Sequence, residues 1–134
     1  MHEINAEELL LKKGVKPTPQ RVVITQYLLS THSHPTADEI LDEVKNALPV
    51  SLSRATVYNT LKTLVEAGVI QEVVTEPGRS RYDANVSDHH HFVDTQTGAV
   101  FDIPAEVITP LRATLDERFK VDGYKVVFFG RRQD

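Results

Sequence analysis

Half of the six histidines in this chain stand side by side, at His89-His90-His91, between Asp88 and Phe92. If Phe92 and Val93 continue a β-strand, the two-residue period puts His89 and His91 on one face and His90 on the other. Two imidazoles one pleat apart can share a metal ion, and neutral imidazole is the commonest metal ligand among side chains. The next apolar run, Ala99-Val100-Phe101-Asp102-Ile103, carries a carboxylate inside an otherwise hydrophobic strand. Between the two runs, Asp94-Thr95-Gln96-Thr97-Gly98 is turn chemistry, with Gly98 suited to a left-handed position. Pairing of Asp94 with Ala99 across a four-residue loop sets Asp102 opposite His91 on the same face. A slip of one residue would reverse that. The plain alternative, a solvated turn or a tag remnant, fits less well. Tags sit at termini, and this run opens a hairpin.

Such a hairpin needs a scaffold, and the composition allows one. The chain has 134 residues, 40% hydrophobic and 25% charged, which suits one globular domain or two small ones. It contains no cysteine, which excludes disulfides and thiolate metal sites. The acidic start, Met1-His2-Glu3-Ile4-Asn5, lacks the basic and apolar regions of a signal peptide, and no apolar run approaches membrane-spanning length. A cytoplasmic protein without membrane contact is expected. The net charge of −4 is shared evenly by residues 1–84 and 85–134. Nucleic-acid contact would therefore rest on local basic positions rather than on overall charge.

In chain order, Asn5 with Glu8 reads as a capping box, and Gly14 closes a short leucine-rich helix. Thr18 caps a second helix with Pro19 at its first position, apolar at Val23, Ile24, Tyr27 and Leu28 and running to about Thr31. Thr36 and Glu39 form another capping box, opening a helix with apolar positions Ala37, Ile40, Leu41, Val44 and Leu48. Asp38, Glu39, Asp42 and Glu43 take its wet side. After Pro49, Ser53 caps a helix over 54–67 ended by Gly68, with Val57, Leu61, Leu64 and Val65 as its core side. The other side carries Arg54, Thr56, Tyr58, Asn59 and Lys62. Two helices with such a face on the second form the helix-turn-helix pattern. Tyr58 would pack on a thymine methyl and Asn59 would read adenine, while Arg54 and Lys62 would touch phosphates. Val69 to Thr75 and Arg79 to Tyr82 read as two strands around a Glu76-Pro77-Gly78 turn. This completes a winged helix, with Arg79 and Arg81 charging the wing.

Residues 84–88 read as a hinge. Beyond it come the hairpin 89–103, a helical stretch over 105–119 with a break at Pro110, and a last strand over 124–129. The fold class is thus α+β: an N-terminal winged helix-turn-helix domain, residues 1–84, and a small α/β domain, residues 85–134. The second domain buries too little apolar area to be secure alone, so dimerisation through its sheet is expected. Two-fold symmetry is also what a reader of palindromic double-stranded DNA requires.

The segments PTPQR (17–21), HPTADEI (34–40), SRATVYNTLKTLVEAGVI (53–70), SRYD (80–83) and HHHF (89–92) together resemble the Fur family of metal-dependent repressors. The resemblance spans roughly residues 10–130 and is nearest to the peroxide-sensing PerR branch. It implies a DNA-binding domain, a hinge and a dimerising domain, with a regulatory metal bound by both. The ligands it implies are His34, Asp83, His89, His91 and Asp102, three imidazoles and two carboxylates. Fe2+ or Mn2+ is the implied metal, with Zn2+ as an alternative occupant of the purified protein. Arg21 of PTPQR completes the expected DNA-contacting set. The family's structural zinc needs Cys-x-x-Cys pairs, but the first pair's positions are Asp94 and Thr97 here, and the second pair is lacking. No structural zinc is therefore expected, and dimer stability would rest on residues such as Val126 and Phe128.

The function expected is that of a metal-dependent repressor that senses peroxide through oxidation of a ligand histidine. A cysteine-free chain with HHH also resembles the haem-responsive Irr branch, so a haem- or iron-status regulator is the alternative, with His32 and His90 as the extra candidates. A non-haem iron enzyme using His89, His91 and a carboxylate as a facial triad is the distant alternative. It leaves the polar face of helix 54–67 unexplained, so no enzyme activity is expected.

Overall fold

Among the described residues, four α-helices begin where a side chain can accept an otherwise free amide of the first turn. They are α1 (Ala6–Lys12), α2 (Pro19–Ser30), α3 (Ala37–Val44) and α4 (Arg54–Glu66). Asn5, Thr18, Thr36 and Ser53 are the caps, each accepting from the amide three residues on. At α3 the capping box is complete, since the Glu39 carboxylate also accepts the Thr36 amide at 3.0 Å. At α1 the return limb joins side chains instead, with Asn5 Nδ2 donating to Glu8 Oε1 at 3.3 Å. Helix α4 ends in a Schellman turn: Gly68 stands at φ +77°, Val69 N donates to the Leu64 carbonyl and Gly68 N to that of Val65. The α3 helix stops at Val44, short of the expected Leu48, and the chain passes through turns and bends to Pro49.

The computed structural model describes residues 5–49, 51–76, 79–87, 89–107, 117–122 and 124–133. The chain divides into two units, Met1–Val86 and Ser87–Asp134. In the first, the helices share one core with Leu10, Ile24, Ile40, Val57, Leu61 and Leu64 fully buried. Removing a leucine side chain at such a place costs about 2–5 kcal/mol, so the faces of α2, α3 and α4 are fixed against one another. Thr25 and Thr60, unforeseen in the apolar stripes, are buried with them. The antiparallel strands β1 (Gln71–Glu76) and β2 (Arg79–Asp83) form the wing. An isolated bridge, Thr36 to Arg81, ties β2 to the start of α3. The expected turn residues Pro77 and Gly78 lie outside the described residues.

The second unit is a three-stranded sheet in the order β4-β3-β5, from β3 (His89–Asp94), β4 (Val100–Pro104) and β5 (Val127–Gly130). β3 pairs antiparallel with β4 and parallel with β5. The expected last strand starts three residues late, since the Val126 amide donates to the His90 ring, at 2.9 Å, instead of to a ladder carbonyl. Of the helix expected over 105–119, Ala105–Val107 is a 3-10 turn and Glu117 and Arg118 lie in a turn. Its residues 108–116 lie outside those described. Among the described residues of this unit, the buried apolar side chains are Val93 and Val100, while Phe128 and Phe129 are exposed. The fold is α+β with an N-terminal winged helix. No helix among the described residues is long and apolar enough to cross a membrane.

Candidate metal-ligating residues and nucleic-acid interface

The hairpin register is the one that the turn chemistry predicts. Asp94 N donates to the Ala99 carbonyl at 2.9 Å, Gly98 takes φ +79°, and His91 stands opposite Asp102. His89 and His91 share its face, their ring centroids 4.6 Å apart. His89 Nε2 lies 3.2 Å and His91 Nε2 3.5 Å from the same oxygen, Asp102 Oδ1. Both rings are buried, whereas Asp102 is partly open. His89 Nδ1 lies 2.6 Å from the Ser87 carbonyl, which can only accept, so Nδ1 is the donor. In the neutral ring that leaves a lone pair on Nε2, aimed at a carboxylate that also only accepts. Two electron pairs at 3.2 Å require a shared cation, either a proton or a metal ion. This donor set fits a divalent metal that accepts mixed nitrogen and oxygen ligands.

His90 points the other way. Its Nδ1 accepts the Val126 amide, and its ring stacks on Tyr124 with centroids 5.7 Å apart. It pins the approach to β5 rather than joining its neighbours.

In the first unit, His34 and Asp83 meet by themselves. His34 Nε2 is 3.2 Å from Asp83 Oδ2, with side chains 4% and 11% exposed. Asp83 Oδ1 accepts the Asn85 amide at 2.9 Å, which turns Oδ2 toward the ring. His34 has φ +55°, left-handed for a residue that is not glycine and that precedes a proline. Such a conformation costs on the order of 1–3 kcal/mol and persists only when its surroundings impose it. Here Tyr82 N donates to the Pro35 carbonyl at 2.9 Å, and Arg81 Nη1 donates to the His34 carbonyl at 3.1 Å.

The same contacts correct the reading of the wing. Arg81 is 9% exposed, and its guanidinium lies on His34 and 3.8 Å from Glu39, so it is not a wing cation available to DNA. Arg79 is exposed. On α4, Arg54, Tyr58, Asn59 and Lys62 are exposed on the side away from the core. Thr56 is half-buried with its hydroxyl on Ser53, at 2.8 Å. Arg54 pairs with Asp38 at 2.9 Å and lies 5.8 Å from the Tyr58 ring centroid. Arg21 is half-buried and donates to the Lys16 carbonyl at 3.0 Å. A groove of about 390 Å³ between α4 and the wing is lined by Arg54, Tyr58, Arg79 and Tyr82, together with the acids Asp38 and Glu72. Burial, then the Glu72 carboxylate, pushes the Tyr82 phenol up to about 12.

At the hairpin turn, Asp94 Oδ1 accepts the amides of Gln96 and Thr97, at 2.8 and 3.1 Å. These bonds hold its carboxyl below the usual range. The turn is thus closed by an aspartate at the place where the family resemblance sets the first cysteine of a zinc pair. His32, the remaining candidate, is exposed.

Residues 12–129 match the model of the ferric uptake regulator family. The peroxide-responsive repressor PerR of Staphylococcus epidermidis is 39% identical over 102 residues, covering 75% of this chain and 67% of that protein. The corresponding repressor of Staphylococcus aureus is 38% identical over the same length, covering 75% and 68%. Among solved structures, a zinc-bound manganese uptake regulator matches with a TM-score of 0.69 and 30% identity, over 97% of this chain and 100% of that one. The peroxide stress regulator of Campylobacter jejuni matches with a TM-score of 0.65 and 25% identity, over 96% and 93%. The chain belongs to the ferric uptake regulator family.

Proposed function

We propose that this chain is a metal-dependent transcriptional repressor that binds a palindromic double-stranded operator as a homodimer and senses peroxide through a ligand histidine. The observation that carries the reading is the meeting of two imidazole Nε2 atoms on one oxygen of Asp102, with His89 Nδ1 already engaged on a carbonyl. His34 and Asp83 repeat the same chemistry in the first unit. The proposed ligands are His34, Asp83, His89, His91 and Asp102, and the proposed metal is Fe2+ or Mn2+. Two carboxylates neutralise such an ion, and the other three donors are imidazoles. An ion that draws ligands from both units favours one arrangement of them, which makes it a differential ligand for the DNA-competent state. Dimerisation would cover Phe128 and Phe129, exposed in a unit with few buried apolar residues.

When bound, Fe2+ would supply the one-electron chemistry that peroxide reduction needs, with no net change in the iron, and Mn2+ would supply it poorly. The imidazole ring of His34, His89 or His91 then takes up one oxygen atom. In net terms one ring C–H becomes a C–O bond, the ring loses two electrons, and peroxide leaves as water. An oxidised ring is a weaker donor, so the ligand set opens and the operator is released. The similarity to the two staphylococcal peroxide-responsive repressors supports this effector.

The test treats the Fe2+ and Mn2+ forms with dilute peroxide while operator binding and peptide masses are followed together. A gain of one oxygen confined to a ligand histidine, seen with iron alone and tracking DNA release, is the expected outcome. Release without that modification, or equal sensitivity of the manganese form, would refute peroxide sensing and leave the metal-dependent repressor standing. Release by haem with indifference to peroxide would favour the haem-responsive alternative, which the placement of His90 against Val126 and Tyr124 does not support.

A further inference from the structure

We propose that Arg81 is a positioning residue for the His34–Asp83 metal half-site, holding the His34 backbone from within β2 rather than contacting DNA. The proposal rests on the reading of His34 and Asp83 as ligands and adds to it the group that sets their geometry. Side chains two apart on a strand share a face, so Arg81 and Asp83 project from β2 on the same side. Asp83 reaches the His34 ring, with Oδ2 3.2 Å from Nε2. Arg81 reaches the His34 main chain, with Nη1 donating to the carbonyl at 3.1 Å. One strand therefore grips both ends of a single buried residue.

That grip has a purpose at this position. His34 holds a left-handed φ of +55°, against the preference of a residue that precedes proline. The backbone ties nearby, Tyr82 N to the Pro35 carbonyl and the Thr36–Arg81 bridge, fix Pro35 and Thr36. The Arg81 side chain fixes the carbonyl on the His34 side of the turn. The same Nη1 also lies 3.8 Å from Glu39 Oε1, the oxygen that accepts the Thr36 amide. Arg81 thus spans the His34 carbonyl and the cap of α3. The planar guanidinium holds the N–H bonds of Nη1 in fixed directions, which the freely rotating ammonium of a lysine does not. Burial completes the case. An arginine 9% exposed would have to leave both partners to reach a phosphate, stripping the donor from the carbonyl of the buried His34.

The full-length protein can be tested with Arg81→Met, because methionine keeps the apolar stem and the partner left behind, Glu39, is exposed enough to be solvated. Mn2+ affinity is read by titration of the free-ion electron paramagnetic resonance signal. The His34 ring resonances are followed by NMR in the metal-free protein. Arg81→Met should weaken Mn2+ binding about 10- to 100-fold, as loss of a supporting partner does at other metal sites, and should shift the His34 ring resonances. At saturating Mn2+ its operator binding should keep the wild-type salt slope. Arg79→Gln should do the reverse, lowering the slope by about 0.9 with Mn2+ affinity intact. Arg81→Lys should recover part of the affinity, and it decides by the same two readouts if Arg81→Met fails to fold. Wild-type Mn2+ affinity with unmoved His34 resonances, in a variant that loses salt slope, would overturn the proposal. Failure of the metal reading looks different. His34→Ala would then bind Mn2+ like the wild type, while the metal-free resonances would still report whether Arg81 holds the turn.

Discussion

Replacing Asp38 by asparagine should strengthen DNA binding while slightly weakening the fold. Asp38 lies in the first turn of α3, and its Oδ2 is 2.9 Å from Arg54 Nη2 at the start of α4. The side chains are 56% and 67% exposed, so the pair sits in water-like dielectric. Coulomb attraction at that distance is about 1.4 kcal/mol in bulk water, and side-chain entropy and screening reduce the net to roughly 0.2–1 kcal/mol. If Arg54 must leave Asp38 to meet a phosphate, removing Asp38 returns that amount to binding. The operator affinity should rise about 1.4- to 5-fold. The gain should grow at low salt, where Asp38 itself repels the backbone, and the salt slope should steepen by up to about 0.9. Stability should fall by about 0.3–1 kcal/mol, because an anion near the N-terminus of a helix is favourable. Fluorescence anisotropy over a salt series, with denaturant unfolding alongside, measures both. The double-mutant cycle with Arg54→Ala is decisive, since the gain should largely vanish in that background. An equal gain without Arg54 would refute the ion-pair account. An unchanged affinity would show that this end of α4 does not face DNA.

Tyr58→Ala and Asn59→Ala should each cost roughly 1–3 kcal/mol on the operator and far less on random DNA, as expected for exposed groups that read base edges. Equal losses on both DNAs in competition binding would reassign these residues to backbone contact. A third prediction concerns Tyr82, whose phenol is held well above its ordinary value of 10.0, at about 12. The folded state keeps this proton more tightly than the unfolded chain, so the linked stabilisation is complete below pH 10 and is lost as pH rises toward 12. An absorbance titration should show a step near pH 12 that Tyr82→Phe abolishes; a variant that loses only a step near pH 10 would contradict the burial-based account.

What the sequence makes legible is what local chemistry decides. Asn5, Thr18, Thr36 and Ser53 all cap as their types and spacings require, because the acceptor and the amide lie within one turn. The β3–β4 register follows from a four-residue loop and a glycine at its left-handed position. Asp102 could therefore be set opposite His91 without knowledge of the rest of the fold. The structure departs from expectation where distant segments decide. Nothing in the two-residue period separates Arg81 from Arg79. Arg81 is covered because residues 47 positions earlier pack over it. Likewise, β5 starts late because a ring on β3 takes the Val126 amide, a contact that no pattern within 124–129 encodes.

The strand β2 shows what this long-range packing achieves. Arg79, Arg81 and Asp83 alternate along one strand and share its side, yet they meet three different environments. Arg79 stands exposed beside the groove of α4, Arg81 is buried on the His34 carbonyl, and Asp83 faces the His34 ring. A β-strand paired over its length resists local bending, so a displacement at Asp83 is carried to Arg79 through a single element rather than a flexible linker. The same strand is tied to the cap of α3 by the Thr36–Arg81 bridge and by the Arg81–Glu39 pair, and α3 packs on α4, with Ile40 and Leu61 both in the common core. In the proposed function, a metal ion that draws on Asp83 and His34 therefore acts on the wing and on the face of α4 through the same strand. A weaker ring donor at His34 would relax both contacts with DNA together.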